Sequence, residues 1–146
     1  MIYIASTEGL FGMKCVAACA VDKADQELVA AANWAGCGLI GGYDLPEATE
    51  TQDDLWFVPP GGWGDLDYPG KRGGHCMYNP STSPAADGYM TWGVDQTGTN
   101  GWRRETCSEL WLLSWDRWVG VTKRAPNGFA LKDLVSDWGS RFGGSR

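Results

Sequence analysis

The chain contains one histidine, His75. An imidazole with an ordinary pKa of about 6.5 is the side chain best suited to moving a proton at neutral pH. His75 follows Gly73-Gly74, which leaves the backbone beside it uncluttered, and it heads a stretch, GGHCMYN, that reads as a strand. A base needs a nucleophile or an activated water. The candidate thiols are Cys15, Cys19, Cys37, Cys76 and Cys107. Cys76 is adjacent in sequence, but neighbours on a strand point to opposite faces, so it is a poor partner for His75. No C-x-x-C occurs, and a single histidine excludes a multi-histidine metal site, so neither a metal nor a cofactor is expected. Cys15 and Cys19 would share a strand face while lying too far apart for a disulfide. Asp53, Asp54, Asp65, Asp67, Asp87 and Asp95 fall in loop-like sequence and read as solvated carboxylates, with no spacing that argues for a catalytic pair.

The elements that must position His75 can be read from the pattern of apolar residues. Residues 14–20 (KCVAACA) form a short, small and apolar run, a buried strand. Asp22 suits the N-cap of a following helix, with Asp25 in its first turn. Ala24, Leu28, Ala31, Ala32 and Ala35 would supply its apolar face, and Gly36 its end. Residues 38–45 (GLIGGYDL) read as a second strand, whose paired Gly41-Gly42 implies close approach by a neighbour. Residues 46–72 read as a long loop, a length that is uncommon without a function. Trp56, Phe57 and Trp63 either staple this loop to the body or face a ligand.

Strands are expected at 73–79, 89–92 and 109–113, with a turn at 80–87, a loop at 94–101 and a short helical turn at 114–119. A last helix at 130–141 carries Leu131, Leu134, Val135 and Trp138 at helical spacing, with Phe142 continuing the same face. The order predicts a single α+β domain over residues 1–146. Its sheet would be mostly antiparallel, with one helix after the first strand and an amphipathic helix at the C-terminus.

Composition narrows the function. Hydrophobic residues make up 43% of the 146, enough for a core, and the 21 glycines argue against a helical bundle. The formal net charge is −6, and the basic residues form only isolated pairs such as Arg103-Arg104 and Lys123-Arg124. Neither nucleic-acid backbones nor anionic membranes are therefore expected partners. No apolar run is long enough to span a bilayer, and the first twelve residues lack the pattern of a signal peptide, so a cytoplasmic or packaged protein is expected. Nine tryptophans are many for this length, and Trp56, Trp63, Trp92 and Trp102 are candidate anchors for a protein partner or for self-association.

Gly73-Gly74-His75-Cys76, followed by a strand, a turn and Tyr89-Met90-Thr91-Trp92-Gly93, resembles the second half of papain-like cysteine peptidases. Those carry a G-H-A strand and an N-S-W-G motif. The resemblance is closer to the papain-like domains predicted in tailed phages and prophages. Val21-Asp22-Lys23 with Val29-Ala30-Ala31, LIGGYDLP at 39–46, and Trp56-Phe57-Val58-Pro59 match their motifs in order. Thr91-Trp92-Gly93, Glu109-Leu110-Trp111, Ser114-Trp115-Asp116-Arg117-Trp118 and Ala125-Pro126-Asn127-Gly128-Phe129 continue the series.

The resemblance implies a papain-like fold with His75 as the general base. In the family the nucleophilic cysteine lies on a helix upstream of the region matched by Asp22, so the chain is expected to lack it and to be a truncated papain-like fold. Cys15 stands in the strand before Asp22 and is a weak substitute. The amide that orients the family's base falls on Met90, which leaves His75 a vestigial base. The expected function is a catalytically inactive phage protein that binds protein or serves as a virion structural or accessory component. It would act in the host cytoplasm or the virion. The alternative is half of a cysteine peptidase or amidase, with a thiolate from Cys15 or from a partner chain. Loss of the helix would bare one sheet face, which a partner or self-association would cover.

Overall fold

A computed structural model of the chain describes residues 12–117, 123–125, 127, 128, 130 and 133. The first strand, β1 (Cys15–Ala20), is followed by α1 (Gln26–Gly36). Asp25 rather than Asp22 caps α1, its carboxylate accepting the Leu28 N–H at 3.0 Å. Asp22 shapes the preceding turn by accepting the Ala24 N–H at 2.9 Å. The later start changes the buried stripe, which is Val29, Ala32, Asn33, Ala35 and Gly36, while Ala24 and Ala31 face solvent. Gly36 is the last helical residue because α1 lies hard against the sheet. A Cβ there would stand 2.0 Å from Leu112 Cδ1. Cys37, at φ 53°, supplies the left-handed residue that ends the helix.

The remaining strands are β2 (Leu39–Leu45), β3 (Leu55–Trp56), β4 (Gly73–Thr82), β5 (Ala86–Thr91), β6 (Val94–Thr99) and β7 (Cys107–Trp115). With β1 they form one seven-stranded sheet in the order β1-β7-β2-β4-β5-β6-β3. Every pairing is antiparallel except that of β3 with β6. The chain is therefore α+β with a mostly antiparallel sheet, as the element order predicts.

The differences from expectation lie in polar stretches. The 46–72 segment contains a 3-10 helix, Glu47–Glu50, and the edge strand β3. It is stapled down: the Trp56 indole donates to Thr49 O at 3.2 Å, and the Asp67 carboxylate accepts the Glu47 N–H at 2.7 Å. The expected loop at 94–101 is β6 running into a second helix, α2 (Asn100–Thr106). Thr99 caps α2 by accepting the Trp102 N–H at 3.1 Å. The turn expected at 80–87 shrinks because β4 and β5 extend into it, with Thr82 opposite Asp87. Ser114 and Trp115 belong to β7, residues 116 and 117 turn helical, and 118–119 lie outside the described residues. So does the C-terminal helix expected at 130–141, apart from residues 130 and 133.

The main core lies between one face of the sheet and the two helices. Tyr43, Trp56, Tyr89 and Trp102 meet at its centre, with Trp102 stacked on Tyr43 at 5.6 Å and tilted against Trp56 at 4.8 Å. Arg103 is fully buried on α2, and its Nε donates to Asp87 Oδ2 at 2.7 Å. Its guanidinium also donates to Lys23 O and to the Gln26 side chain. One cation thus ties α2 to β5 and to the start of α1. On the other face, Cys15 and Leu113 gather the partly buried Ala18, Ile40, Trp111 and Trp115.

Candidate functional site

His75 is carried by β4 opposite Tyr43 of β2. The strand enters through Gly73, at φ +108°, and Gly74, and a Cβ on either would meet nothing within 4 Å. The neighbouring hairpin determines what His75 touches. Thr91 at the end of β5 pairs with Val94 at the start of β6, so Trp92-Gly93 alone makes the turn. Their φ values are +49° and +80°. A two-residue turn with both φ positive is the type that suits the twist of a hairpin, and Asn-Gly is its usual sequence. A bulky residue in the left-handed region is strained. Here that conformation lays the indole on the imidazole: the Trp92 and His75 rings stack at 4.7 Å with planes 18° apart. Trp92 also meets Trp56 edge-on at 6.2 Å.

The second contact is Thr91, whose Oγ1 lies 2.6 Å from His75 Nε2. Thr91 is buried on the same side of β5 as Tyr89 and Asp87, while Met90 alternates outward and is 51% exposed. Met90, at the position expected for an orienting amide, therefore faces away from His75, and its neighbour Thr91 supplies the polar contact. Strand alternation counted from Tyr89 places Thr91 on the core side and was the signal in the sequence that could have found it. A hydroxyl on Nε2 fixes the ring and, where Nε2 carries the proton, leaves the Nδ1 lone pair available. Among the described residues Nδ1 has no hydrogen-bond partner.

His75 is half-buried at the wall of an open depression of about 470 Å³. Met90, Thr91, Trp92, Val94 and Asp95 line it from the hairpin.

No thiol is placed to be activated by His75. Cys15 lies on β1, separated from β4 by β7 and β2, so the structure does not bring Cys15 and His75 together. Cys19 shares that distant strand, and Cys37 closes α1. Cys107 lies on β7, with β2 between it and β4. Cys76 points to the opposite face from His75, next to Glu109. Burial first and the Glu109 carboxylate second raise its pKa. Burial also raises the Cys15 and Cys19 thiols and pushes Cys107 up to about 11. Each shift favours the neutral thiol, whereas the thiolate is the nucleophile.

Two of the four tryptophans expected as anchors need correction. Trp56 is 2% exposed and Trp102 is fully buried, so both are core residues and not docking residues. The aromatic cluster takes them because β3, inside the segment expected to be a loop, pairs at the sheet's edge, and α2 packs on the sheet's core face. Trp63 is half-buried, its indole N–H donating to the Glu105 carboxylate, and it fastens the long loop to α2. Trp92 is 59% exposed and stands at the site.

Among the described residues no group of three or more His, Cys, Asp or Glu is arranged to hold a metal ion. No helix among them is long and apolar enough to cross a membrane. Compared with known proteins, the chain matches no family model, no curated protein and no solved structure.

Proposed function

We propose that the chain is a papain-like domain of the tailed-phage type in which His75 has lost its thiolate. In this reading it binds protein, as a virion structural or accessory component or as a partner in the host cytoplasm. One observation carries it: the imidazole is held by Thr91 and Trp92, while all five cysteines lie on other faces or strands. The order of motifs, from the glycine before His75 to Thr91-Trp92-Gly93, supports the family. The α+β order, with a helix after the first strand, is compatible with it. The sheet face away from the helices gathers Ala18, Ile40, Trp111 and Trp115, all partly buried, around Cys15 and Leu113.

The test is the rate of alkylation at each cysteine, read by mass spectrometry, in the natural protein and in His75→Ala. Slow labelling led by the exposed Cys76 and unchanged by the substitution is expected. Rapid labelling of any one cysteine that depends on His75 overturns the reading.

A second reading has a specific support. Nδ1 is unpartnered beside an open depression, so a thiolate from another chain has a fixed base to meet. Amide hydrolysis that appears only on mixing with such a chain, and is lost in His75→Ala, would favour that reading over the first.

A further inference from the structure

Leu66 is 81% exposed, more than any other large apolar side chain among the described residues, and Tyr68 is 53% exposed. The side chain between them turns inward: the Asp67 carboxylate accepts the Glu47 N–H at 2.7 Å and the Ala48 N–H at 3.2 Å. The backbone is held as firmly. The Asp67 N–H donates to Gly64 O at 3.0 Å, the Lys71 N–H to Tyr68 O at 3.1 Å and the Arg72 N–H to Leu45 O at 3.0 Å. The Lys71 ammonium donates to Leu66 O and to Glu47 Oε2. A lone exposed leucine is ordinary on a protein surface. Here two large side chains flank an anchored carboxylate on a fastened loop, and none of these bonds uses either of them. Polar residues at 66 and 68 would hold the loop as well. The segment 46–72 also holds six acidic residues and two basic ones. Both basic side chains are already in ion pairs, Lys71 with Glu47 and Arg72 with Glu50. Asp65, next to Leu66, is exposed. The surface around Leu66 is therefore negative.

We propose that Leu66 and Tyr68 dock into an apolar cleft, bordered by lysine or arginine, on a partner protein. The inference rests on the reading that the chain binds protein, and it names the surface used and the chemistry of the partner. The cleft takes the leucine and the tyrosine ring out of water, which drives association. Tyrosine suits the margin of such a contact, because its ring is apolar and its hydroxyl can stay hydrated. The basic border answers Asp65 and the neighbouring carboxylates, and it steers approach and register. With the backbone already fastened, binding orders side chains and little else. A second copy is a poorer occupant, because its own net charge of −6 repels. An anionic membrane is disfavoured for the same reason.

The probe is a library of random dodecapeptides displayed on yeast, selected against the full chain and then screened against the double variant Leu66→Ser, Tyr68→Ser. Clones that bind the natural chain and lose more than about tenfold on the double variant are expected, rich in lysine or arginine beside aromatic or aliphatic residues. Synthetic copies of those peptides should lose about three- to tenfold in affinity on Asp65→Lys. That change is at an exposed side chain, so the test stays readable if the double variant folds poorly. Clones that ignore both variants overturn the proposal, as do variant-sensitive clones without basic residues, or a selection that yields no binder. Sedimentation that shows a dimer lost in Leu66→Ser makes the occupant a second copy and overturns a separate partner. Leu66-dependent binding to phosphatidylcholine vesicles overturns a protein partner in favour of a membrane. Variant-sensitive basic clones together with rapid, His75-dependent alkylation would leave this surface standing and remove the non-catalytic reading. No such clones together with slow alkylation would do the opposite.

Discussion

Replacing Trp92 by Asn sets two opposing terms against each other at one residue. The natural turn holds an indole at φ +49°, where a bulky L-residue is disfavoured by about 1–2 kcal/mol. Asn is the residue this turn type favours, so the substitution returns roughly 1 kcal/mol of that strain. Against this stands what the indole gains from its neighbours. Trp92 is 59% exposed, and burying the remainder, about 80 Å² of a side chain of ~200 Å², is worth roughly 2 kcal/mol at ~25 cal/mol per Å². The stack on His75 and the edge contact with Trp56 add about 1 kcal/mol beyond area. The balance is a loss of about 2 kcal/mol, or a fall in Tm of roughly 4–8 °C for a chain of this size. Thermal melts of Trp92→Asn measure it. A double-mutant cycle with His75→Ala isolates the stack, with an expected coupling of about 0.5–1.5 kcal/mol. If Trp92→Asn melts at or above the natural protein, the indole gains nothing from its neighbours and the reasoning fails.

Other perturbations test the surroundings. Thr91→Val keeps the shape and removes the hydroxyl from Nε2. It should cost about 1 kcal/mol and shift the imidazole tautomer balance, which nitrogen NMR of His75 reads directly. Arg103→Ala strands the buried Asp87 and should cost about 3–5 kcal/mol, while Arg103→Met with Asp87→Leu should recover most of it in urea melts. Gly36→Ala drives a methyl into Leu112 and should cost about 1–3 kcal/mol, an effect that Leu112→Ala in the same chain should shrink. Cys107 is neutral in the fold and its pKa is raised from 9.0 to about 11, so its contribution is fully present below pH 9 and is lost as pH rises to 11. That difference is worth about 3 kcal/mol, and Cys107→Ala should flatten the alkaline fall in stability by about that amount. Parallel curves for the two proteins would show that Cys107 is not the group responsible.

The parts of the fold legible in the sequence are those where apolar period and element type coincide. The small apolar run of β1, the glycine-paired β2 and the leucines of β7 declare themselves. β6 and α2 do not: VDQTGTN carries neither a period of two nor a helical stripe, and its structure follows from the Trp92-Gly93 turn that brings β6 back beside β5. The shift of the α1 cap from Asp22 to Asp25 has a similar source. Asp22 and Asp25 are equivalent as caps by type, and the choice between them depends on where α1 meets β7, a tertiary fact expressed only at Gly36. The site divides in the same way. His75 and Trp92 are conspicuous as a lone imidazole and one of a cluster of indoles. Thr91 is hidden in the sequence because the motif points to Met90, although alternation along β5 turns Met90 outward.

The strain at Trp92 connects the reading of the turn with the reading of function. A hairpin needs only Asn-Gly or Gly-Gly here, and either would fold without penalty. An indole in that position puts its stack on His75 where a less strained residue would give a more stable turn. Strain of this kind persists where surrounding contacts over-determine the residue. The contacts that do so here are His75 and Trp56, and both remain if the protein never cleaves a bond. Packing against His75 and Trp56 is therefore enough to hold the strained turn without any bond-breaking chemistry. A catalytic account needs, in addition, a thiolate that none of the five cysteines is placed to supply.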